Sequence, residues 1–408
     1  MATDTYWPRI NGVTVAIDTF RRQLTRLGHT VYVFAPKYPA SSRHNAVKDD
    51  ERVYRFPSFG FFVSPEDRVG YPNTRWKMAE VLDELHPDIV HSHTEFTIGS
   101  GCNVYCRRNA MPHIMSCHTF WEEILISYFP FVPLPVSRLI VKKLSRHYSR
   151  YFDRLIVPSR FIEKLMRSYG ARCPIDVIPN GITPGDFVLQ EAEREALAAH
   201  FAQLIPGIGG RRFLLYAGRI AREKNLDLLL EAMKQIARKV PEVLLLLAGS
   251  GPYHARLENR VREKGLAGRI RFTGYLDRKQ LSYAYSNAEA FLFTSKTDTQ
   301  GLVLLEAMHC GTPVVAIRSS ATEEVLGEGL GGFLVDDDVS QFVQRVVLLL
   351  RDAGMRSQKS EEARAVARNW TIEKMTERLL YAYEQVIKPY RTTRGFGAFK
   401  PGTGDFGC

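Results

Sequence analysis

The sequence lacks any long apolar run. Nowhere in its 408 residues are there about 18 uninterrupted apolar side chains, the length that a bilayer-spanning helix requires. The nearest candidate, ILISYFPFVPLPVS at 124–137, is shorter and contains prolines at 130, 133 and 135, which interrupt helices. We therefore expect no transmembrane helix.

Cysteine is scarce and scattered. The six cysteines form no C-x-x-C pair and no Cys/His array with zinc-site spacing, and no signal peptide precedes them. Such a pattern is typical of proteins whose thiols stay reduced. The sequence therefore favours a cytoplasmic location.

Acidic residues are outnumbered by basic ones, which gives a net charge of +11 and a pI of about 9.3. The excess is concentrated, because residues 138–172 contain ten basic and two acidic side chains. A concentrated positive charge favours an anionic partner or surface. With 45% hydrophobic and 24% charged residues, the composition excludes general disorder.

Short apolar runs alternate with amphipathic helical patterns, as is typical of parallel strands covered on both faces. The predicted strands lie within 30–36, 88–94, 113–119, 154–159, 175–181, 211–219, 242–251, 269–275, 289–295 and 312–317. This rhythm predicts an α/β protein with two doubly wound, Rossmann-like domains in tandem. Ligands of such sheets bind beyond the strand carboxyl ends, so we expect the domains to face each other across a cleft.

Turn-rich segments set the predicted domain borders at 1–190 and 191–370. A helix within 371–390 can return to the first domain, and the glycine-rich segment 391–408 is predicted to be a flexible tail. The first domain opens unusually, because only MAT precedes Asp4 where a buried strand of about five or six residues is normal. Either that strand is very short or the chain starts elsewhere.

Two cations follow the predicted strand FLLYAG. Arg219 and Lys224 stand on the loop that enters the next helix, where side-chain charge and helix amides together favour an anion. Glycine turns follow two further strands, at Gly251 and just before Tyr275, and would let a ligand approach the backbone. The alternatives are a solvated basic loop and glycines that only make tight turns.

Two carboxylates stand in SKTDTQGLVLLEAMHCG. Asp298 precedes a predicted helix that ends at Gly311, and Glu306 lies inside it. Carboxylates accept hydrogen bonds from hydroxyls, and the first-turn amides at Gly301 and Leu302 favour phosphate, so the combination suits a nucleotide sugar. Alternatively, Asp298 caps the helix and Glu306 is structural, although a buried glutamate without a partner would be costly.

The motifs GR-x4-K, GSGP, TG and D-x-x-G-x4-E-A-M-x-C-G-x-P-V-V-A resemble the second domain of the retaining, nucleotide-sugar-dependent glycosyltransferases with the GT-B fold, often called family 4. The resemblance implies that Arg219 and Lys224 bind the donor diphosphate, that Asp298 contacts the transferred sugar and that Glu306 binds ribose. Relatives usually carry glutamate where this chain has Asp298. Further implied donor contacts are Gly251, Tyr275, Gly301 and Leu302.

The first domain carries three matching motifs and would bind the acceptor. YWPRINGVTV resembles the family's glycine loop, where Asn11, Gly12 and Val13 would meet the reacting end of the donor. HSHTEF and SCHTFWE resemble its two histidine motifs, and His118 matches the histidine that lies against the transferred sugar. Histidine there can stabilise an oxocarbenium-like centre. The catalytic residues implied are His118, Asp298, Arg219 and Lys224.

A metal centre is not expected. His91, His93 and Glu95 are close in sequence, but no further cysteine or histidine completes a tetrahedral set. We expect His91 to be a solvated loop residue, and Arg219 and Lys224 to balance the leaving diphosphate in place of a metal. No cofactor is expected beyond the nucleotide-sugar substrate.

HSHTEFTIG, HTFWEE and TDTQGL resemble the bacterial and plastid-type members that transfer glucose to diacylglycerol, which implies UDP-glucose as donor and a lipid acceptor. Aromatic residues followed by the basic cluster are also the pairing expected at an anionic bilayer surface. The alternative is an amphipathic core helix with a solvated basic face. The predicted acceptor or membrane contacts are Trp121, Phe129, Phe131, Lys142, Lys143 and Arg146.

We therefore predict a retaining hexosyltransferase, peripheral at the inner face of the membrane. A nucleic acid partner is not expected, because no nucleic-acid-binding module is present. The alternatives are a GT-B transferase acting on a soluble sugar, sugar phosphate or glycan, and a non-catalytic protein that binds nucleotide sugars or docks on membranes. The oligomeric state is not indicated by the sequence.

Overall fold

The computed structural model describes residues 1–9, 11–39, 50–60, 67–118, 133–298, 300–327 and 329–393. The chain divides into two compact units, the first of residues 1–157, 166–176 and 377–408, the second of residues 158–165 and 177–376. The predicted membrane contacts Trp121, Phe129 and Phe131 lie outside the described residues, as does the segment 394–408 of the predicted tail.

The first unit is built on short parallel strands. Strands β1 to β8 are Val33–Pro36, Val53–Phe56, Ser58–Gly60, Arg68–Gly70, Val90–Ser92, His113–Ser116, Arg154–Val157 and Ile175–Val177. β1 pairs with β2, and β5, β6, β7 and β8 lie side by side, whereas β3 and β4 form a separate antiparallel pair. Ala2 makes parallel bridges to Phe34 of β1 and Ser92 of β5. The first residues of the chain therefore occupy the central place in this sheet.

Helices cover the first unit's strands. Helices α1 to α4 are Gly12–Arg26, Thr74–Leu85, Thr97–Arg108 and Leu134–Tyr148, and α5, Arg160–Ser168, has residues in both units. α1 buries Ile17, Phe20 and Leu24 at helical spacing, and its first turn is closed by Asn11, whose side chain accepts a hydrogen bond from the Thr14 N–H. The apolar face of α1 therefore begins soon after its polar cap, Asn11.

The second unit contains one six-stranded parallel sheet. Strands β9 to β14 are Phe213–Ala217, Leu244–Ala248, Ile270–Gly274, Ala290–Phe293, Val314–Ile317 and Gly332–Val335. Their order is β11, β10, β9, β12, β13, β14. Every residue of β9, β10, β12 and β13 is buried, which explains their unbroken apolar sequences. The strand order reverses beside β9, and ligands of such sheets bind at that point, beyond the carboxyl ends.

Helices pack on both faces of the second sheet. Helices α6 to α14 are Glu191–Leu204, Leu226–Lys239, His254–Glu263, Arg278–Asn287, Leu302–His309, Ser320–Leu326, Val339–Arg351, Ala353–Ala367 and Ile372–Thr393. One apolar cluster includes Leu229 of α7 and Phe342 of α12, and a second includes Phe201 of α6 and Leu305 of α10. From residue 377 onward, α14 belongs to the first unit. Among the described helices, none has both the length and the apolar character needed to cross a membrane.

The predicted α/β class with two Rossmann-like units is confirmed. Each of the ten predicted strand segments contains an observed strand, and each observed strand is shorter because the predicted segments include loop residues. The sequence missed β2, β3, β4 and β14. These four have only three or four residues, some of them half-exposed, so they lack a long apolar run.

Candidate active site

The loops that follow β9 and β10 are joined by main-chain hydrogen bonds. The Gly218 N–H donates to the Ala248 carbonyl (2.9 Å), and the Ile220 N–H donates to the Ser250 carbonyl (2.9 Å). A Cβ at Gly251 would lie 2.3 Å from the Ile220 carbonyl oxygen, which is closer than any side chain could stand. Gly251, a predicted donor contact, is therefore also required by the packing of one loop on the other.

The loop after β11 joins the same network. The Gly249 N–H donates to the Gly274 carbonyl (2.7 Å), and a Cβ at Gly249 would lie 2.0 Å from the Gly218 carbonyl oxygen. Tyr275 follows directly, and 76% of its surface is exposed. The loops after β9, β10 and β11 thus form one hydrogen-bonded surface, which we call the floor. The Tyr275 ring projects from this floor into solvent.

Arg219 and Lys224 stand on the floor's first loop. The hydroxyl of buried Tyr216 donates to the Arg219 carbonyl (2.9 Å), while the Arg219 side chain is exposed and lies 3.7 Å from Glu223. Lys224 ends a short 3-10 turn, and its carbonyl accepts a hydrogen bond from Thr294 (2.8 Å). The main chain at both cations is therefore fixed, although the Arg219 guanidinium is open to solvent.

The structure brings Lys224 and Asp298 together. The Lys224 Nζ donates a hydrogen bond to the Asp298 carboxylate, and both side chains are only about one-fifth exposed. The sequence predicted that each would contact a ligand but did not predict that they would contact each other. Any anion that binds Lys224 must compete with this carboxylate.

Glu306 is buried inside α10, and both of its carboxylate oxygens have partners. Arg278 of α9 donates to Oε1 (2.6 Å) and the Tyr285 hydroxyl donates to Oε2 (3.0 Å). Burial, reinforced by the Glu306 charge, raises the pKa of Tyr285 well above its usual value, so the phenol stays a neutral donor. The sequence reasoning missed Arg278, whose one signal was a cation directly after LD, just beyond the carboxyl end of β11.

The loop between Asp298 and α10 is held by Gln300. Its side-chain oxygen accepts from the Asn180 N–H (2.8 Å), and its amide donates to the Asn180 carbonyl (2.6 Å). Gly301 follows with a φ of 68°, a left-handed conformation that favours glycine, and α10 begins at Leu302. Gly301 and Leu302, both predicted donor contacts, therefore lie where this anchored loop meets the start of α10.

In the first unit, three histidines lie side by side. Nδ1 of His93 shares a hydrogen bond with Nε2 of His118 (2.8 Å), and the His91 and His93 ring centroids are 4.1 Å apart. Burial lowers the pKa of His118 to about 4, so its imidazole is neutral at pH 7. A neutral His118 can act as a hydrogen-bond donor or acceptor toward a ligand but not as a fixed positive charge.

The expectation that His91 is a solvated loop residue is wrong. His91 lies in β5, where its Nδ1 shares a hydrogen bond with the Tyr383 hydroxyl (2.7 Å) and its Nε2 with the Ser116 hydroxyl (2.7 Å). Both ring nitrogens are therefore occupied within the protein. Among the described residues, no group of three or more histidine, cysteine or acidic side chains is placed to hold a metal ion.

Asp4 holds the loop that follows His93, a role that the sequence did not reveal. The buried carboxylate accepts hydrogen bonds from the Thr94 hydroxyl (2.6 Å), the Thr97 hydroxyl (2.9 Å) and the Ile98 N–H (2.8 Å). It therefore caps α3, where the helix dipole favours an anion. The predicted contacts Gly12 and Val13 lie in the first turn of α1, and a Cβ at Gly12 would meet no atom within 4 Å.

Two family models match the two halves of the chain. The model described as Glycosyltransferase Family 4 matches residues 10–185, and the model described as Glycosyl transferases group 1 matches residues 201–366. The two halves of the chain therefore carry glycosyltransferase family 4 and group 1 domains. This glycosyltransferase is a hexosyltransferase, and the predicted family is confirmed.

Two relatives illustrate the range of activities. The glycosyltransferase is 29% identical to the alpha-monoglucosyldiacylglycerol synthase of Streptococcus pneumoniae, over 81% of this chain and 74% of that one. It is 25% identical to a GDP-mannose-dependent alpha-(1-6)-phosphatidylinositol monomannoside mannosyltransferase of Mycolicibacterium smegmatis, over 91% and 93%. The printed names of these two relatives differ in the sugar, which is glucose in the first and mannose in the second.

Solved structures establish the fold. Anabaena HepE, crystallised with UDP and glucose, superposes with a TM-score of 0.71 at 16% identity, over 94% of this chain and 98% of that one. WaaG, a glycosyltransferase involved in lipopolysaccharide biosynthesis, superposes with a TM-score of 0.69 at 14% identity, over 94% and 98%. The glycosyltransferase has the GT-B fold, as predicted.

Proposed function

We propose that this glycosyltransferase moves glucose from UDP-glucose, with retention at the anomeric carbon, to the hydroxyl of a membrane lipid such as diacylglycerol. The observation that carries the lipid acceptor is the outward face of α4, which combines exposed aliphatic and basic side chains. The similarity to a glucosyldiacylglycerol synthase over four-fifths of the chain supports the same acceptor.

The outward face of α4 is suited to a bilayer surface. Leu139, Val136, Ile140 and Leu144 are 60, 45, 37 and 37% exposed, whereas Ser137, Val141 and Ser145 are the buried side chains among those that the structure describes in α4. This distribution supports a surface-binding helix over the alternative, a core helix with only its basic face in solvent. The exposed basic residues on the same helix include Arg138, Lys142, Lys143 and Arg146.

The proposed donor would bind at the floor of the second unit. Arg219 and Lys224 would hold the diphosphate, the Tyr275 ring would lie by the base, and Glu306 would accept hydrogen bonds from ribose. A diphosphate that attracts the Lys224 ammonium releases Asp298 to accept hydrogen bonds from sugar hydroxyls. The pairing of Lys224 with Asp298 thus links diphosphate binding to sugar binding. The likeness to a fold relative crystallised with UDP and glucose is consistent with such a donor.

In the proposed reaction, the bond between the anomeric carbon and the β-phosphate oxygen breaks as the acceptor oxygen bonds to the same face of that carbon. The acceptor proton passes to the departing phosphate oxygen, and Arg219 and Lys224 balance the charge on UDP. Neutral His118 would hydrogen-bond to the transferred sugar. We propose that no metal ion takes part, because the two cations and the helix amides supply the positive charge.

Product analysis tests the proposal. The full chain is incubated with UDP-glucose, UDP-galactose or GDP-mannose and with either diacylglycerol vesicles or inositol 3-phosphate, and the products are identified by mass spectrometry and NMR of the anomeric proton. We expect an α-glucosyl lipid from UDP-glucose. A product formed only on the soluble acceptor would refute the lipid assignment, and no product from UDP-glucose would refute the donor assignment.

Membrane binding is tested separately by vesicle sedimentation. Replacing Lys142, Lys143 and Arg146 by glutamine should weaken binding to anionic vesicles about 100-fold, since each basic residue contributes about 1 kcal/mol at such a surface. The matched control replaces three exposed basic residues of α7, Lys234, Arg238 and Lys239, and should leave binding almost unchanged. Equal losses in both triple variants would contradict a docking role for α4.

A further inference from the structure

His93 and His118 of the first unit meet through one hydrogen bond between their rings. Nδ1 of His93 and Nε2 of His118 are 2.8 Å apart, and the ring planes differ by only 14°. The ring centroids are 5.1 Å apart, and two nitrogens this close exclude a face-to-face stack, so the rings meet edge to edge. A proton on either nitrogen therefore points at the lone pair of the other.

The main chain fixes both rings in this arrangement. His93 directly follows β5, and its N–H donates to the Ala2 carbonyl (2.8 Å). His118 lies two residues beyond β6, and the N–H of the preceding Cys117 donates to the Ile156 carbonyl (2.8 Å). Since β5 and β6 are neighbours in the sheet, the contact between the two rings is set by the pairing of these strands.

Both rings are neutral, so the hydrogen bond between them uses a single proton. Burial lowers the pKa of His118 to about 4 and the pKa of His93 well below its usual value. A neutral imidazole holds one proton, on either Nδ1 or Nε2. Either His93 donates from its Nδ1 or His118 donates from its Nε2.

The second ring nitrogen of His93 distinguishes the two possibilities. Nε2 of His93 is buried and has no hydrogen-bond partner among the residues that the structure describes. If His118 donated, the His93 proton would lie on this Nε2 as an unsatisfied buried N–H, and such groups are rare and costly. If His93 donates, Nε2 holds only a lone pair, and proteins leave buried acceptors unpaired more often than donors. The His93 proton therefore belongs on Nδ1, and His118 accepts at Nε2.

We propose that His93 is a positioning residue that holds His118 in the tautomer protonated at Nδ1, so that His118 offers the transferred sugar a hydrogen-bond donor. His118 is half-buried, and no hydrogen bond within the described part of the chain occupies its Nδ1. A donor at this place requires an acceptor, such as the oxygen of a sugar hydroxyl. The inference rests on the proposed function only in taking the sugar as that acceptor, since the tautomer is set within the first unit.

NMR of the full chain with ¹⁵N-labelled histidine tests the tautomer without any substrate. Correlation of ring protons with ring nitrogens distinguishes a protonated nitrogen from a bare one, and the spectrum of His118→Gln identifies the His118 signals. At pH 7 we expect His118 to be protonated at Nδ1 and bare at Nε2. A proton on Nε2 of His118 would overturn the proposal, and this result needs no variant of His93.

Two substitutions of His93 separate positioning from packing. His93→Asn keeps a side-chain N–H near the place of Nδ1, whereas the matched His93→Phe keeps a ring but has no donor. We expect His118 to stay protonated at Nδ1 in the asparagine variant and to move its proton toward Nε2 in the phenylalanine variant. A phenylalanine variant with the parent spectrum of His118 would overturn the role of His93.

Steady-state kinetics give a second readout. We expect His93→Phe to lower kcat for glucosyl transfer roughly 2- to 10-fold with the KM for UDP-glucose nearly unchanged, the effect of losing one neutral hydrogen bond in the transition state. His93→Asn should keep nearly the parent rate, and equal losses in the two variants would overturn the positioning role. An inactive parent whose His118 is protonated at Nδ1 would refute the proposed function while supporting the role of His93 in setting the tautomer.

Discussion

Replacement of Arg278 by methionine tests the structural role of Glu306, its pairing with Arg278, apart from its proposed role in ligand binding. In the folded protein, Arg278 donates to one oxygen of a carboxylate whose side chain is only 11% exposed. Breaking a fully buried ion pair by removing one partner costs about 3–5 kcal/mol. The Arg278 side chain is 45% exposed, so water can replace part of the contact, and we expect a loss of about 2 kcal/mol.

The assay is thermal unfolding followed by circular dichroism. A loss of this size should lower the unfolding temperature of a unit of this length by roughly 4–8 °C. Arg318→Met is the matched control, because Arg318 also pairs with acids and is similarly exposed, at 49%, but its partners lie at the surface. We expect the control to unfold at nearly the parent temperature.

A double-mutant cycle with Glu306→Gln measures how much of the stability loss comes from the pairing of Arg278 with Glu306. Without the buried charge, the loss of Arg278 should cost far less, which gives a coupling energy of about 1–2 kcal/mol. If Arg278→Met costs the same with and without the Glu306 carboxylate, the pairing reasoning is refuted.

Glu306→Gln should also weaken UDP binding about 10- to 100-fold by calorimetry, since a charge-assisted hydrogen bond is worth about 1.5–3 kcal/mol. Unchanged UDP affinity would leave Glu306 with only a structural role.

Three further predictions follow. Lys224→Ala and Asp298→Ala should each lower kcat/KM for the donor at least about 10-fold, and transfer at the parent rate would contradict their assignment. Asp4→Ala should destabilise the first unit by about 3 kcal/mol, measured by chemical denaturation, because several buried donors lose their acceptor; an effect below about 1 kcal/mol would contradict this role. Burial lowers the pKa of His113 to about 3, so the unfolded chain binds the proton more readily. Stability that is present above about pH 6.5 should therefore be lost as the pH falls, by about 2 kcal/mol for this histidine at pH 5. His113→Asn should reduce that pH dependence, whereas exposed His200→Asn should not, and equal slopes would refute the assignment.

Periodicity and motif spacing predicted the fold well because they report local properties. The fully buried strands of the second unit have continuous apolar sequences, and Gly301 and Gly311 mark the ends of α10 as expected. The missed residues act over long sequence separations. Gln300 holds Asn180, 120 residues away, and Asp4 holds Thr94, 90 residues away. Neither position carries a local pattern, because a buried hydrogen-bond acceptor is identified by its tertiary partners.

The exposure of α4 also could not be derived from sequence. Its apolar residues recur at helical spacing, which indicates an amphipathic helix but not what covers its apolar face. The structure shows that a stripe of two serines and Val141 packs inward while larger aliphatic side chains face solvent. The exposure of these side chains therefore depends on tertiary packing, which the sequence pattern does not report.

The joined loops of the second unit restrict how donor choice can be re-engineered. Their contacts are made by main-chain atoms, and Gly249 and Gly251 leave no room for side chains between them. Substitutions in the floor would therefore disturb the proposed diphosphate and base contacts together. Selectivity for a new sugar nucleotide is better sought at side chains that project from the floor or its rim, such as Tyr275 and Asp298. A library limited to such positions would vary the ligand contacts while keeping the scaffold that holds them.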